Sequence, residues 1–353
     1  MKSQSLRNWP MQLKSNRSDF LNKSYIFKSS IYLVFFILLK FGNCSAMDLE
    51  ELRVSGFPNA KVLPIYIGID KGIFIKNGLQ VSLNLTESSS QQRQDLSSSK
   101  IDIVHSALDN ALAMIEVAKQ DIVIVSGGDG GMNEFFVQSN IQSFADLKGK
   151  TIIVDAVDTA YALQAKKILL RYGLVEGQDY TIKPAGAIVY RYKALIENKN
   201  NSAAILNLPF NVQAQEQGLR SLGRLVDLLG PYQAVGAFVK RDWAKSHPDI
   251  LKRYLMSYIE SLRWIRDPKN KDYCVSVLKS KLSLTDFAAN RTYELLNEAG
   301  FGFNIDAELD IQGFQNMLDL RNEIQSGSQK SRKTMDAYID LSFYENAIKA
   351  LNR

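Results

Sequence analysis

The stretch NAKVLPIYIGIDKGIFIKNGLQVSLNL, residues 59–85, decides the fold class. Val62, Ile65, Tyr66 and Ile69 recur at helical spacing, while residues 52–54 before them and 81–85 after them are short apolar runs of strand type. Lys71-Gly72 and Asn77-Gly78 punctuate the segment as turns. The product is a strand–helix–strand unit. Such a crossover sets its second strand parallel to its first, and in sheets built this way ligands gather at the carboxyl ends of the strands. Phe57-Pro58-Asn59 falls at such an end and is the first candidate binding loop.

The alternation continues downstream. β-Branched runs at 101–104, 122–125, 151–154, 180–182, 203–206 and 234–239 read as strands, with helical patterns at 110–118, 159–172, 190–197 and 210–217 between them. This order predicts an α/β architecture with a mainly parallel sheet. From Trp243 onward the strand signals stop, and helices are predicted over 248–266, 273–282, 285–299, 307–323 and 342–351. No internal repeat is visible. The serine clusters at 88–90 and 97–99 look like helix-flanking turns.

Residues 31–39 (IYLVFFILL) form an apolar core preceded by Lys2, Arg7, Lys14, Arg17, Lys23 and Lys28, opposed only by Asp19. A membrane-spanning helix needs about 20 apolar residues. Lys40 closes this core early, so residues 1–46 read as a secretory signal peptide cleaved after Ala46. Translation from Met11, acylation at Cys44 and retention as an uncleaved anchor are the rival readings. Of 43 basic and 37 acidic residues, 7 and 1 lie in positions 1–46, which leaves 36 of each in the remainder. The pI near 9.0 therefore departs with the leader and carries no argument for a nucleic-acid partner. Cys274 is then alone, so an exported chain has no internal disulfide and must hold its fold by core burial. About 300 residues suffice for two lobes.

Five further segments carry a family likeness: IGIDKGIFIKNGLQV at 67–81, SSSKIDIVHSALDNAL at 97–112, FADLKGKTIIV at 144–154, RYKALIENKNNSAAILNLPF at 191–210 and SHPDILKRYLMSYIESLRWI at 246–265. Their order and spacing resemble the nitrate, sulfonate, taurine and thiamine-precursor branch of periplasmic solute-binding proteins, a group similar to thiamine-pyrimidine synthases. One departure is that the family's second G-x-x-D-A turn is replaced by residues 198–202, which predicts a longer or looser loop there. The resemblance implies a type II periplasmic-binding-protein fold: two α/β lobes, a ligand cleft and a helical C-terminal region. It divides the chain into a signal peptide at 1–46, a first lobe at 47–138, a second lobe at 139–235, and a return to the first lobe at 236–353.

Strand ends that feed helix starts bring backbone amides and the helix dipole together, which suits acceptor groups on a small ligand. The candidate ligand-binding residues at these junctions are Ser55, Phe57 and Asn59; Ser106 and Asp109; Asp158, Thr159 and Tyr161; and Asn207 and Phe210, with Arg191 opening the R-x-x-A-L stretch. Gly128 and Asp129 join them from the glycine-rich run 126–131, which permits close backbone approach but lacks a P-loop lysine. Each has a plainer alternative. Asp109 and Asp158 stand where N-caps belong, and Pro209 suits a first helical position. His105 could line the cleft or be a packed, hydrogen-bonded residue. Phe57, Tyr161, Tyr190 and Phe210 could stack on a flat ligand or fill the core, and Arg191 could clamp an anion or sit on a solvated helix face. If the three aspartates Asp109, Asp129 and Asp158 face the ligand, an amine or aminopyrimidine is favoured; if they are only caps, the exposed amides and Arg191 suit nitrate or a sulfonate.

Three functions compete. The first is an exported, monomeric binding component of an ABC importer, which closes over a small molecule and presents it to a permease and ATPase complex at the inner membrane, with no cofactor. The second is a pyrimidine-synthase-like enzyme, but the resemblance ties that chemistry to a cysteine-rich motif that this chain lacks, and His247 in Ser246-His247-Pro248-Asp249 reads as a helix start. The third is a periplasmic ligand sensor. With two histidines and one cysteine beyond the leader, neither a zinc site nor a cysteine–histidine pair has support.

Overall fold

Ten strands run along the chain: β1 (Glu50–Gly56), β2 (Leu79–Leu85), β3 (Ile103–Ala107), β4 (Ile122–Asp129), β5 (Glu134–Val137), β6 (Lys150–Val154), β7 (Tyr180–Pro184), β8 (Asn201–Leu206), β9 (Arg220–Arg224) and β10 (Val235–Lys240). They come from a computed structural model that describes residues 49–324 and 333–353; the expected leader at 1–46, with Cys44 and Ala46, lies outside it. Two five-stranded sheets result, ordered β2-β1-β3-β10-β4 and β7-β6-β8-β5-β9.

The opening unit forms as its periodicity requires. β1 and β2 pair in parallel from Glu50 opposite Leu79 to Gly56 opposite Leu85, joined through the helix Leu63–Asp70. Gly72 and Gly78 take φ of +67° and +73° at the two turns, a region that a side chain would resist.

The mainly parallel sheet does not form. β10 runs antiparallel to both β3 and β4, and β5 runs antiparallel to both β8 and β9. The cause lies in the two crossings of the chain, between Asp129 and Glu134 and between Arg224 and Val235. Each crossing strand runs opposite to its neighbours in the sheet it enters: β5 opens the second sheet and pairs antiparallel with β8 and β9, and β10 inserts between β3 and β4. β5 and β9 escape the sequence pattern because Glu134-Phe135-Phe136-Val137 is short and buried on both faces, which erases its alternation, and Arg220–Arg224 has little apolar content. Residues 134–137, which the sequence reading set before the boundary at 138, thus pair within the second sheet.

After β10 the described residues are helical or irregular, as expected. The 19-residue helix Pro248–Arg266 carries Leu251, Leu255, Ile259, Leu262 and Ile265 on one face, and all five are buried against the first sheet's core. Burying each such side chain contributes about 1.5–3 kcal/mol relative to exposure. Pro248 occupies its first turn, where a missing N–H costs nothing. Gly68 lets the helix Leu63–Asp70 close on its neighbours, since a Cβ there would lie 2.4 Å from the Phe74 ring and 2.7 Å from Ser261 Oγ. Asn77 Nδ2 donates to Ser257 Oγ at 2.9 Å, and Arg253 Nη1 donates to the Asn77 carbonyl at 3.0 Å, which ties the turn before β2 to the long helix.

The loop at 198–202 is tight rather than loose. Asn200 N donates to Asn198 Oδ1 at 3.0 Å and Asn201 N to the Asn198 carbonyl at 2.9 Å, so an asparagine turn does the work expected of the glycine turn. No helix among the described residues is long and apolar enough to cross a membrane.

Candidate functional site

The carboxyl ends of β1, β3, β6, β7 and β8 open onto one cleft. This is the position that parallel strand ends favour for ligands. One wall belongs to the first sheet. It takes Phe57, Asn59 and Lys61 from the loop after β1, Ser88, Ser89, Ser90 and Arg93 from the start of helix Ser89–Ser97, and His105, Ser106, Asp109 and Asn110 from the end of β3. The other wall takes Asp155, Thr159 and Tyr161 after β6, Gly186, Ala187 and Ile188 after β7, Arg191 on helix Ile188–Glu197, and Asn207 after β8. Tyr258 and Val235 also line it.

On the first wall, Asn59 caps the short helical turn that follows it, accepting from Lys61 N at 2.9 Å. Ser88 caps helix Ser89–Ser97, accepting from Gln91 N at 3.2 Å, which presents Arg93 one turn later on the cleft side. Arg93 Nη1 donates to Asn110 Oδ1 at 2.7 Å, and Asn110 Nδ2 donates to Ser106 Oγ at 3.1 Å. Among the described residues no carboxylate pairs with Arg93. Asp109 is paired from behind by Arg321 of helix Ile311–Ile324 at 2.5 Å. Burial pushes the Asp109 carboxyl up, and the Arg321 guanidinium opposes it. His105 Nε2 meets Tyr254 Oη at 2.8 Å, and its ring packs 4.4 Å from that of Tyr258. Burial lowers the His105 pKa to about 3, so its imidazole is neutral at physiological pH.

On the second wall, the Arg191 guanidinium stacks 3.9 Å from the Tyr161 ring centre and donates to the Ile205 carbonyl at 2.8 Å. Asn207 Nδ2 donates to Tyr161 Oη at 2.8 Å. Thr159, at the N-cap of helix Ala160–Arg171, donates to Asp155 and to the Ala156 carbonyl. Burial pushes Asp155 up, while Arg191 and the Thr159 hydroxyl oppose the shift. Two buried atoms of this wall, Arg191 Nε and Asn207 Oδ1, have no hydrogen-bond partner.

Eight of the expected residues therefore meet at one cleft: Phe57, Asn59, Ser106, Asp109, Thr159, Tyr161, Arg191 and Asn207. The others lie elsewhere. Ser55 accepts from Gln92 Nε2 at 3.1 Å beneath the wall, Phe210 packs on Tyr192 at 5.5 Å, Tyr190 is exposed, and Asp158 is exposed beside the helix start. Asp129 is locked to Lys61 Nζ at 2.8 Å, with both side chains buried. Gly128 lies inside β4, and the glycine-rich run serves packing rather than a ligand: a Cβ on Gly127 would sit 2.1 Å from the Glu308 carbonyl oxygen. The capping reading of the aspartates also fails. Ala107 and Thr159 hold the cap positions, and the Asp109 carboxylate turns to the buried cation instead. Pro209 stands at the cap of helix Phe210–Glu216, one position before its first residue. Arg191 is neither solvated nor free; it is 1 % exposed.

Lys61, Arg93, Gly186 and Tyr258 were not anticipated as lining residues, and Asn110 and Asp155 lie in recognised junctions but were not singled out. Ser88-Ser89-Ser90 before a helical segment was the available signal for Arg93, and Asp155 opens a junction already recognised from its strand. Tyr258 has no local signal, since it sits mid-helix far along the chain. Among the described residues no cluster of His, Cys, Asp or Glu could hold a metal ion.

A family model described as NMT1/THI5 like matches residues 59–270, which span the opening unit, both cleft walls and the long helix. The chain belongs to the NMT1/THI5-like family. A search of curated protein sequences finds no significant match. Solved structures resemble this member over most of its length. The periplasmic nitrate-binding protein NrtA from Synechocystis PCC 6803 superposes with a TM-score of 0.70 at 14% identity, covering 86% of this chain and 89% of its own. The alkanesulfonate-binding protein SsuA from Xanthomonas axonopodis pv. citri, bound to MOPS, gives 0.64 at 14%, covering 79% and 96%. The desulfurization enzyme DSZB gives 0.60 at 16%, covering 86% and 100%. The NMT1/THI5-like chain thus has the type II periplasmic-binding-protein fold, with two α/β lobes about a cleft and helices at its C-terminal end.

Proposed function

We propose that this protein is an exported, periplasmic solute-binding component of an ABC importer, which closes two lobes over a small molecule bearing an anionic group and delivers it to a permease and ATPase complex. The lobes proposed are divided at the two crossings, between Asp129 and Glu134 and between Arg224 and Val235, the leader at 1–46 being removed on export.

The observation that carries the reading is the charge of the cleft. Arg93 and Arg191 line it with no ion-paired carboxylate among the described residues, Asp109 has a buried cationic partner, Asp155 is opposed by the charge of Arg191, and Asp129 and Asp158 lie outside the lining. An anionic group placed beside Arg93 gains charge-assisted hydrogen bonds. Nitrate and alkanesulfonates, which two of the structural neighbours bind, are of this kind. The pyrimidine-synthase-like alternative requires a reactive histidine, and His105 is engaged by Tyr254 and held neutral by burial.

A thermal-shift screen of the full chain against nitrate, taurine, alkanesulfonates, aminopyrimidines and small amines tests the reading. At a hundredfold its dissociation constant a ligand stabilises by about 2.7 kcal/mol. Stabilisation by nitrate or a sulfonate is expected. Stabilisation by simple amines or aminopyrimidines alone would overturn the anionic class.

A further inference from the structure

We propose that the ion pair between Arg224 and Glu298 is a clamp that ties the two lobes together at one edge of the cleft, and that it sets how readily the cleft opens at the opposite edge, between Glu87 and Gly186. This rests on the two-lobe closure proposed above and involves no ligand, so the clamp can fail while the anionic class stands.

Strand order makes the two edges unlike. Both crossings run through β4, β5, β9 and β10, which lie together at one side of their sheets, while β2 and β7 are the edge strands at the other. Glu134 of β5 stands opposite both Leu206 of β8 and Arg224 of β9. Arg224 is therefore level with the strand end that gives Asn207 to the cleft, two strands and roughly 10 Å further along.

The partner of Arg224 is fixed to the first lobe. Phe301, Phe303 and Ala307, shortly after Glu298, are buried in that lobe's core. Asn304 N donates to the Gly128 carbonyl of β4 at 2.8 Å, and Arg263 of the long helix grips Asp306 at 2.9 and 2.7 Å. Gln233, in the second crossing and fully buried, locks this segment in place. Its Oε1 accepts from Asn304 Nδ2 at 3.2 Å and Asp310 N at 2.7 Å, and its Nε2 donates to the Asp129 carbonyl at 3.3 Å and the Val235 carbonyl at 2.7 Å. Both donors and both acceptor sites of the amide are filled.

Arg224 reaches across from the second sheet with both arms. Nη1 meets Glu298 Oε1 at 2.5 Å and Nη2 meets Oε2 at 3.2 Å, while the guanidinium lies 4.2 Å from the Phe301 ring centre. Lys167 with Glu323 and Thr285 with Glu216 also join the lobes, each through a single exposed contact. The far edge is different. A Cβ on Gly186 would lie 4.0 Å from the Glu87 carbonyl oxygen, yet among the described residues no hydrogen bond or ion pair joins the loop after β7 to the loop after β2. Surfaces that touch without a polar bond part at little cost, and a bidentate ion pair does not.

Double electron–electron resonance on the full chain, with carried-over solute removed, tests the clamp. Nitroxides are placed at Glu87→Cys and Tyr190→Cys, exposed positions on either side of the mouth, in a Cys44→Ser background; Cys274 is buried and takes no label. Glu298→Gln and Arg224→Gln should each lengthen the mean distance by more than about 2 Å, and the exchanged pair Arg224→Glu with Glu298→Arg should shorten it again. An unchanged distance in both single variants would overturn the clamp, as would a lengthening that the exchanged pair leaves in place. Both side chains are partly exposed, and if one single variant fails to fold in urea titration the other decides.

Discussion

Asp109 and Arg321 form a buried ion pair across 212 positions of the chain, 2.5 Å apart, with side chains 5% and 3% exposed. Asp109 stands in the cleft wall and Arg321 behind it, so the wall's carboxylate reaches the ligand space already neutralised. Removing one partner of such a pair strands the other. Arg321→Gln should cost about 3–5 kcal/mol in urea unfolding and weaken binding of anionic ligands. The double variant with Asp109→Asn should recover part of both losses, and a single variant as stable as the parent would refute the account.

Lys61 and Asp129 pose the same question where the chain leaves the first sheet. Lys61 Nζ also donates to the Gly131 carbonyl, so it braces the start of the first crossing. Lys61→Met should destabilise by about 3 kcal/mol, and a double-mutant cycle with Asp129→Asn should show coupling above about 0.5 kcal/mol. Additive losses would mean that the contact holds nothing.

Gly127 separates packing from binding. Its missing Cβ makes room for the Glu308 carbonyl, and the residue lies outside the cleft lining. Gly127→Ala should lower the unfolding midpoint, at a cost of about 1–3 kcal/mol or more, and leave ligand affinity at its parent value. A selective loss of affinity with unchanged stability would return the glycine-rich run to the binding site.

His105 sets a pH dependence whose sign is fixed by its burial. The folded pKa of about 3 lies below the ordinary 6.5, so the unfolded chain binds the extra proton first and stability falls as pH drops below that ordinary value. Between pH 7 and pH 5 this one group should remove about 2 kcal/mol. His105→Gln should flatten that limb of the stability curve, measured by urea unfolding at a series of pH values. An unchanged slope would show that His105 titrates as it does in water.

Much of the cleft was legible one loop at a time. Phe57, Asn59, Ser106, Thr159, Tyr161 and Asn207 follow strands whose ends are visible in the sequence, and each reaches the common lining. Asp158 was misplaced by a single turn of backbone: Thr159 takes the cap and Asp155 the wall, a distinction of local geometry within a junction correctly located. Asp129 and Gly128 were misplaced for another reason, since a glycine-rich run looks the same whether a ligand or another backbone approaches it.

By itself the sequence determined the strand–helix–strand opening, the strands up to Lys240 other than β5 and β9, and the helical end, because periodicity and turn chemistry depend on neighbours two to four positions apart. The tertiary structure alone decided which strands run antiparallel, because each crossing strand takes its direction from the sheet it enters. It also decided the charge of the cleft. Arg321 neutralises Asp109 and Lys61 neutralises Asp129 through space, and no spacing rule in the chain links those partners.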